Sequence, residues 1–224
     1  MSSASLSRVL ILLAAMAGSA VRVHACEVAL VLAIDVSGSI DRAEYRLQTE
    51  GLARALEDPE LIDALVATQA ALSVLQWSGA GQQTVTLSWQ RMNSAATVAE
   101  FAARARAMPR AFEASDTAVG EALAFAAALF SSAPDCRRRV IDISGDGPQN
   151  AGMPLDLGRM AALRSRAQIN AIAIEDMGRA TPISTYYARH VTSPDGFVVT
   201  ARGLSDYPRA IRDKILREIT RPTG

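Results

Sequence analysis

The feature that most constrains this chain is an almost uninterrupted apolar run, residues 27–34, that leads directly into the polar stretch Asp35-Val-Ser-Gly-Ser39. A strand that is apolar along its whole length is covered on both faces, which is typical of the inner strands of a parallel sheet. Residues 139–144 repeat this pattern and lead into Gly145-Asp-Gly147. The sequence therefore predicts a sheet whose buried strands end in oxygen-bearing side chains.

Strand-like and helix-like patterns alternate along the rest of the chain. We predict strands at residues 27–34, 70–77, 83–89, 139–144, 168–174 and 197–200, and helices at about residues 42–56, 95–107, 118–131, 155–167 and 204–220. The second and third strands are separated only by Ser78-Gly-Ala-Gly81, which is short enough for a hairpin turn. The alternation predicts one α/β domain with a mostly parallel central sheet, one antiparallel edge strand and helices on both faces.

The composition excludes several other classes of protein. Half of the 224 residues are hydrophobic, and 23 Lys and Arg balance 23 Asp and Glu. A disordered chain would contain fewer apolar residues. A nucleic-acid-binding chain would carry a basic excess to neutralise phosphates. We therefore expect a globular domain that has no nucleic-acid partner.

The N-terminus has the pattern of a secretory signal peptide. Arg8 precedes a short apolar run, and Val23-His-Ala25 is a small-x-small cleavage sequence. The run is short for a permanent membrane-spanning helix, which needs about 20 apolar residues. We expect cleavage after residues 1–25, leaving residues 26–224 as a periplasmic or secreted domain without a transmembrane helix. An N-terminal membrane anchor is the alternative.

The two cysteines, Cys26 and Cys136, are candidates for a disulfide. Cys26 lies nine residues before Asp35, and Cys136 lies ten residues before Asp146, so both fall near the starts of predicted strands. If those strands are parallel neighbours, the two thiols lie close together, and an oxidising compartment permits the bond. The alternatives are two free thiols or a lipid attached to Cys26.

Oxygen-bearing side chains gather where the predicted strands end, which is the edge at which open α/β sheets bind ligands. The candidate ligands are Asp35, Ser37, Ser39, Thr117 and Asp146. Two carboxylates and three hydroxyls, with neither Cys nor His, suit a hard divalent cation. Mg²⁺ is the favoured ion, and Mn²⁺ and Ca²⁺ also fit. Without a metal, the two aspartates would serve as helix caps and turn formers.

In this order and spacing, the five residues resemble the metal-ion-dependent adhesion site of von Willebrand factor type A (vWA) domains. That motif is Asp-x-Ser-x-Ser, followed by a distant Thr and then by a distant Asp. The resemblance implies a Rossmann-like vWA fold in which Ser37, Ser39 and Thr117 bind the metal directly. It implies that Asp35 and Asp146 act through water. It also implies that an Asp or Glu carboxylate of a protein partner completes the coordination shell.

The resemblance covers residues 27–220. Within it, residues 143–150 and the Glu-Tyr-containing stretch at residues 44–51 are similar to a bacterial secreted branch of the family whose function is largely unassigned. One departure from the family pattern is Asp116, which stands beside Thr117 where the family usually has Gly. We expect Asp116 to cap the following helix; the alternative is that its charge tightens metal binding.

The sequence predicts a binding module and not an enzyme. It has no Gly-x-Ser-x-Gly elbow, and it has neither a Gly-rich dinucleotide loop after the first strand nor a Gly-x-x-x-x-Gly-Lys phosphate loop. A metal-dependent phosphotransferase of the haloacid-dehalogenase type is the alternative, although Ser37 stands where that family has its general acid. A second alternative is a structural vWA domain without a ligand.

Two further charged features surround the predicted strand at residues 139–144. Asp142 lies within this buried strand and is expected to be hydrogen-bonded, since buried polar groups rarely lack partners. Arg137-Arg-Arg139 lies at the start of the strand, opposite the metal end. We expect these arginines to form a solvated face, with a partner contact as the alternative. The chain contains a single lysine, Lys214.

Overall fold

The strands form one six-stranded sheet in the order β3-β2-β1-β4-β5-β6. In this computed structural model, which describes residues 26–113, 116–175 and 182–220, the strands are β1 (Val28–Asp35), β2 (Ala71–Trp77), β3 (Gln83–Arg91), β4 (Arg138–Gly145), β5 (Ala167–Glu175) and β6 (Val198–Arg202). β3 runs antiparallel to β2 at one edge, and the other neighbouring strands are parallel. The predicted fold class is confirmed. The predicted signal peptide lies outside the described residues.

The helices cover both faces of the sheet. They are α1 (Arg42–Leu56), α2 (Pro59–Thr68), α3 (Ala95–Arg106), α4 (Val119–Leu129), α5 (Leu155–Arg164), α6 (Ile183–Tyr186) and α7 (Tyr207–Thr220), with a π-helical turn at Tyr187–Val191 and a 3₁₀ turn at Leu204–Asp206. Helix α2 was not predicted, although Asp58 caps it and Pro59 begins it, because its pattern continues that of α1 after a short break. Pro at the first helical position is a start signal.

Each face of β1 contributes to a separate apolar core. Leu30, Leu32 and Ile34 pack with helices α1, α2, α3 and α7. Ala29 and Val31 pack on the other face with α4 and α5. Successive side chains of a strand point to opposite faces, so a strand covered on both sides must be apolar at every position. This requirement accounts for the unbroken apolar run from which β1 was predicted.

A disulfide joins Cys26 to Cys136, with their Cα atoms 4.5 Å apart. The pairing follows from the sheet, because β1 and β4 are parallel neighbours and the Arg138 N–H donates to the Glu27 carbonyl at 2.9 Å. Both cysteines therefore lie at the same edge, where the two strands begin. The bond closes a segment with a sequence separation of 110, so it restricts the unfolded chain strongly.

Asp142 was expected to have a polar partner, and the structure shows that this partner is Lys214. Lys214 is fully buried on α7, and its Nζ lies 2.6 Å from Asp142 Oδ1 and also pairs with Glu218 one turn along the helix. Asn170 Nδ2 donates to Glu218 Oε1 at 2.8 Å. Two carboxylates thus share one ammonium group in the core. Burial raises the pKa of Asp142, and burial also raises that of Glu218 to about 7.

This buried cluster predicts that stability falls as the pH rises from about 4.5 to about 7. The folded chain keeps a proton on Glu218 up to a pKa of about 7, whereas the unfolded chain loses it near the ordinary pKa of 4.5. Between these values the folded state binds more protons, so the free energy of unfolding decreases with pH. Urea unfolding in chelator at several pH values measures the slope. In Glu218→Gln the slope should be smaller, and an equal slope in this variant would contradict the assignment.

Candidate metal centre

Three loops meet at the carboxyl edge of the sheet. β1 ends at Asp35, and the parallel neighbour β4 ends one residue before Asp146. The register pairs Ile34 with Ser144, so the two aspartates follow adjacent strands at the same level of the sheet. The third loop precedes α4 and carries Thr117, whose side chain is buried. The topology thus brings all three predicted segments to one edge.

Four of the five predicted ligands form a continuous polar cluster. Asp35 Oδ1 accepts a hydrogen bond from the Ser37 N–H at 2.7 Å. Ser37 Oγ lies 3.2 Å from Ser39 Oγ. Ser39 Oγ in turn donates to Asp146 Oδ1 at 2.8 Å. The two carboxylates, which lie at the ends of different strands, are therefore connected through the backbone N–H and hydroxyl of Ser37 and the hydroxyl of Ser39.

Thr117 is joined to this cluster through its backbone. The Thr117 N–H donates to Asn150 Oδ1 at 2.8 Å, and the Asn150 N–H donates to the Thr117 carbonyl at 3.0 Å. Among the described residues, the Thr117 hydroxyl makes no hydrogen bond to the other four predicted ligands. Its loop is held against the Asp146 loop, and its hydroxyl remains available to a ligand.

The second carboxylate oxygen of Asp35 lacks a protein partner. Asp35 is fully buried, and its Oδ2 has no hydrogen bond within the described part of the chain. Burial raises the pKa of Asp35 to about 7; the Asp146 charge adds to this rise, whereas the Ser37 hydrogen bonds and Arg110 oppose it. A buried carboxylate oxygen without a partner is costly. A bound cation, or water held by one, would satisfy it.

Gly145 leaves space beside that oxygen. A Cβ atom at this position would lie 2.9 Å from Asp35 Oδ2 and would overlap the Tyr187 hydroxyl. The Tyr187 hydroxyl is also buried and has no hydrogen bond to a described residue. Burial raises the pKa of Tyr187 well above its ordinary value, so this hydroxyl stays a neutral donor. Gly145 therefore lies against two buried oxygens, Asp35 Oδ2 and the Tyr187 hydroxyl, and a side chain at this position would collide with them.

The donor set fits a divalent cation with open coordination positions. Within the described ranges, no group of three or more His, Cys, Asp or Glu side chains is placed to hold a metal. The candidate centre instead combines hydroxyls with two carboxylates. Such oxygen ligands suit hard cations, and the uncharged hydroxyls leave much of the cation's positive charge uncompensated.

Arg110 supports the centre and was not identified from the sequence. Its Nη2 donates to the carbonyls of Val36 and Ser37, at 2.9 and 3.0 Å, and so fixes the loop between the first two ligands. Gln76 holds the segment that carries Arg110, because its Nε2 donates to the Pro109 carbonyl at 3.0 Å. A side chain that binds backbone carbonyls leaves no pairing pattern in the sequence.

Within residues 44–51, Tyr45 connects helix α1 to the segment that carries Arg110. Its hydroxyl donates to the carbonyls of Met108 and Pro109, both at 3.1 Å, and accepts from Gln76 Nε2 at 2.8 Å. The stretch thus contributes to the site indirectly, by holding the loop on which Arg110 stands.

The expectation that Asp116 caps α4 is wrong. The helix begins after Ala118 without a side-chain cap, and Asp116 is exposed. Gln149 takes this role, since its Oε1 accepts from the Gly120 N–H at 2.7 Å. Gln149 and Asn150 both come from the Asp146 loop, so this loop is hydrogen-bonded to the segment that begins α4. A cap supplied from a distant segment cannot be located by local spacing.

The sheet order and the position of these loops match the vWA fold. Solved vWA structures match this chain at low identity. A von Willebrand factor type A protein from Catenulispora acidiphila matches with a TM-score of 0.60 and 21% identity, over 89% of this chain and 44% of that one. The vWF domain of the pilus tip protein Mfa5 from Porphyromonas gingivalis matches with a TM-score of 0.62 and 10% identity, over 89% and 98%.

The particular family follows from the sequence. The chain belongs to the family described as "Protein of unknown function (DUF1194)", whose model matches residues 25–223. No curated protein sequence matches the chain. A third solved structure, proximal thread matrix protein 1 from the mussel byssus "with zinc occupied MIDAS motif", has a TM-score of 0.65 and 14% identity, over 85% of this chain and 47% of that one. The chain spans less than half the length of two of these three proteins.

Among the described residues, no helix is both long and apolar enough to cross a bilayer.

Proposed function

We propose that this protein is a secreted or periplasmic binding module that uses a divalent cation to bind an acidic side chain of a protein partner. The observation that carries the proposal is the buried, unpartnered Oδ2 of Asp35 beside the hydroxyl cluster of Ser37 and Ser39. A buried carboxylate oxygen without a partner in the protein requires some other group to satisfy it. A cation supplies the opposite charge.

Ser37, Ser39 and Thr117 would bind the cation directly, and Asp35 and Asp146 would act through water. Mg²⁺ is the favoured ion because all five side chains offer oxygen. When bound, the metal would supply an electrophilic position that accepts an anionic oxygen. Because the three direct ligands are neutral, a carboxylate of a partner would compensate more charge here than at a carboxylate-rich site.

Support for the location comes from residues 1–25 and from the disulfide. A basic residue, a short apolar run and a small-x-small sequence are the parts of a secretory signal. The Cys26–Cys136 bond suits an oxidising compartment. We infer that residues 26–224 form the mature domain, and that it works outside the cytoplasm as a non-enzymatic module.

Titration calorimetry with Mg²⁺ and with Mn²⁺ tests the metal centre. We expect the secreted protein to bind one cation, and Asp146→Ala to weaken binding by roughly 10–100-fold, as for residues that orient metal-bound water. Asp116→Ala is the matched control, because it removes an exposed carboxylate beside Thr117 that takes no part in the cluster. It should bind as the unchanged protein does.

Two results would overturn the metal centre: no binding heat in the unchanged protein, or equal heat in Asp146→Ala. Co-purification of a partner with Mg²⁺, and its release by chelator, tests the binding role. Hydrolysis of a phosphate ester that depends on the same metal, and is lost in Asp146→Ala, would instead favour the haloacid-dehalogenase-type alternative.

A further inference from the structure

The outer face of α5 exposes large apolar side chains. Four large hydrophobic residues of the described chain are strongly exposed: Leu47, Leu157, Met160 and Leu163. Three of these four stand on α5 at intervals of three residues, which places them along one side of the helix. Their exposed fractions are 48%, 43% and 52%. Such clustering marks a surface that another molecule covers.

Arginines surround the end of this apolar face. A cavity of about 330 Å³ at the start of β4 is lined by Leu163 together with Arg137, Arg139 and Arg166. An adjoining cavity of about 300 Å³ shares these three arginines and adds Arg164. We call Arg137, Arg139, Arg164 and Arg166 the arginine cluster. Because Leu163 and the cluster line one cavity, the apolar and basic surfaces are continuous.

The arginine cluster has little negative charge beside it. Arg139, Arg164 and Arg166 form no ion pair with any residue in the described ranges, and Arg137 has only an exposed contact with Glu27 at 3.7 Å. Asp195 also lines the larger cavity and contributes one negative charge there, and its Oδ1 accepts from Ser193.

Some arginines elsewhere are paired with two carboxylates each. Arg106 binds both Glu50 and Glu57, and Arg209 binds both Asp206 and Asp213.

In the arginine cluster, Arg164 and Arg166 have no carboxylate partner among the described residues, whereas Arg139 donates to the Ser165 carbonyl at 3.0 Å and lies over the Phe130 ring. The cluster thus brings four guanidinium groups together beside two cavities.

Arg166 also occupies an unusual backbone position. It follows α5 with a φ of 57°, in the left-handed region that glycine or asparagine normally takes after a helix. The long side chain is present despite a conformational cost, and it lines both cavities.

We propose that this face docks on an anionic phospholipid surface, with lipid phosphates bound by the arginine cluster and Leu157, Met160 and Leu163 inserted among the acyl chains. Guanidinium groups bind phosphate oxygens in pairs. Aliphatic side chains next to basic ones are typical of surfaces that lie in a membrane interface. The apolar part is the outer side of a helix, and a row of exposed aliphatic side chains on such a convex surface suits a deformable lipid layer.

The docking would leave the candidate metal centre accessible. The arginine cluster lies where β4 begins, and Asp146 follows the opposite end of that strand, roughly 25 Å away at 3.3 Å per residue. The proposal does not depend on the metal, and binding should be unchanged in chelator. Failure of lipid binding and failure of metal binding are therefore separate results.

Vesicle sedimentation with the secreted protein tests the proposal. We expect binding to vesicles that contain about one third phosphatidylglycerol, and little binding to phosphatidylcholine alone. Arg164→Gln with Arg166→Gln should weaken binding by roughly 30-fold, since a basic residue near such a surface contributes about fivefold. Leu157→Gln with Leu163→Gln should weaken it by roughly tenfold or more through lost insertion.

Matched controls come from the opposite face of the sheet. Leu47→Gln removes the fourth exposed apolar residue, on α1. Arg54→Gln with Arg104→Gln removes the same charge from α1 and α3. These controls should bind like the unchanged protein, and circular dichroism should show that every variant is folded.

Three results would overturn the proposal. The first is absence of binding to anionic vesicles. The second is equal weakening by the α5 variants and their matched controls, which would indicate diffuse charge attraction. The third is complete competition by millimolar inorganic pyrophosphate together with normal binding by the leucine variant, which would assign the cluster to a soluble phosphate compound.

Discussion

Replacement of Lys214 by Met is expected to lower the free energy of unfolding by about 3–5 kcal/mol, the usual cost of removing one partner of a buried ion pair. Lys214 is fully buried and is the counter-charge of both Asp142 and Glu218. Without it, at least one carboxylate must take up a proton or remain charged in the core. Urea unfolding at neutral pH measures the difference.

Arg209→Met is the matched control for this substitution. It removes one positive charge from the same helix, and Arg209 also pairs with two carboxylates, those of Asp206 and Asp213. That pairing is solvent-exposed, so its loss should cost less than about 1 kcal/mol. If Lys214→Met and Arg209→Met destabilise equally, the buried cluster does not contribute as proposed. The triple variant Lys214→Met, Asp142→Leu, Glu218→Met should recover much of the loss, because it leaves no buried charge unpaired.

Removal of the disulfide in the double variant Cys26→Ser, Cys136→Ser is the second large effect. In the chain-entropy model, a bond that closes about 100 residues contributes about 4.7 kcal/mol, and the separation here is 110. Unfolding of the unchanged protein in reductant should match that of the variant in either condition. A difference below about 1 kcal/mol between oxidised protein and variant would show that the unfolded chain is little restricted by the bond.

The parts of the fold that could be predicted from the sequence are those encoded locally. The strands β1, β4 and β5 are largely buried on both faces, so apolar residues predominate in them and distinguish them from helices. The disulfide also followed, because counting back from Asp35 and Asp146 places both cysteines at the starts of adjacent parallel strands. Asp35, Ser37, Ser39 and Asp146 lie together in one hydrogen-bonded cluster because they stand at the ends of the same two adjacent strands.

What could not be predicted depends on contacts between distant segments. Asp142 was expected to be hydrogen-bonded, but nothing in its own strand indicates that Lys214, on the last helix, is its partner. The hydrogen bond of Gln149 at the start of α4 and that of Arg110 to the Ser37 carbonyl are also contacts between distant segments. Each binds backbone groups of a remote segment, and almost any residue can supply a backbone group. The spacing of residues along the sequence therefore does not indicate such contacts.

The disulfide also determines how the domain would carry a mechanical load. A force applied to the chain at the start of β1 acts on Cys26, which the disulfide joins to Cys136 at the start of β4. The load is therefore shared by β1 and β4 and cannot draw β1 out of the sheet alone. Asp35 and Asp146 stand at the far ends of these two strands, so their relative height is preserved under tension. The candidate metal centre would therefore keep its geometry when force is applied at Cys26.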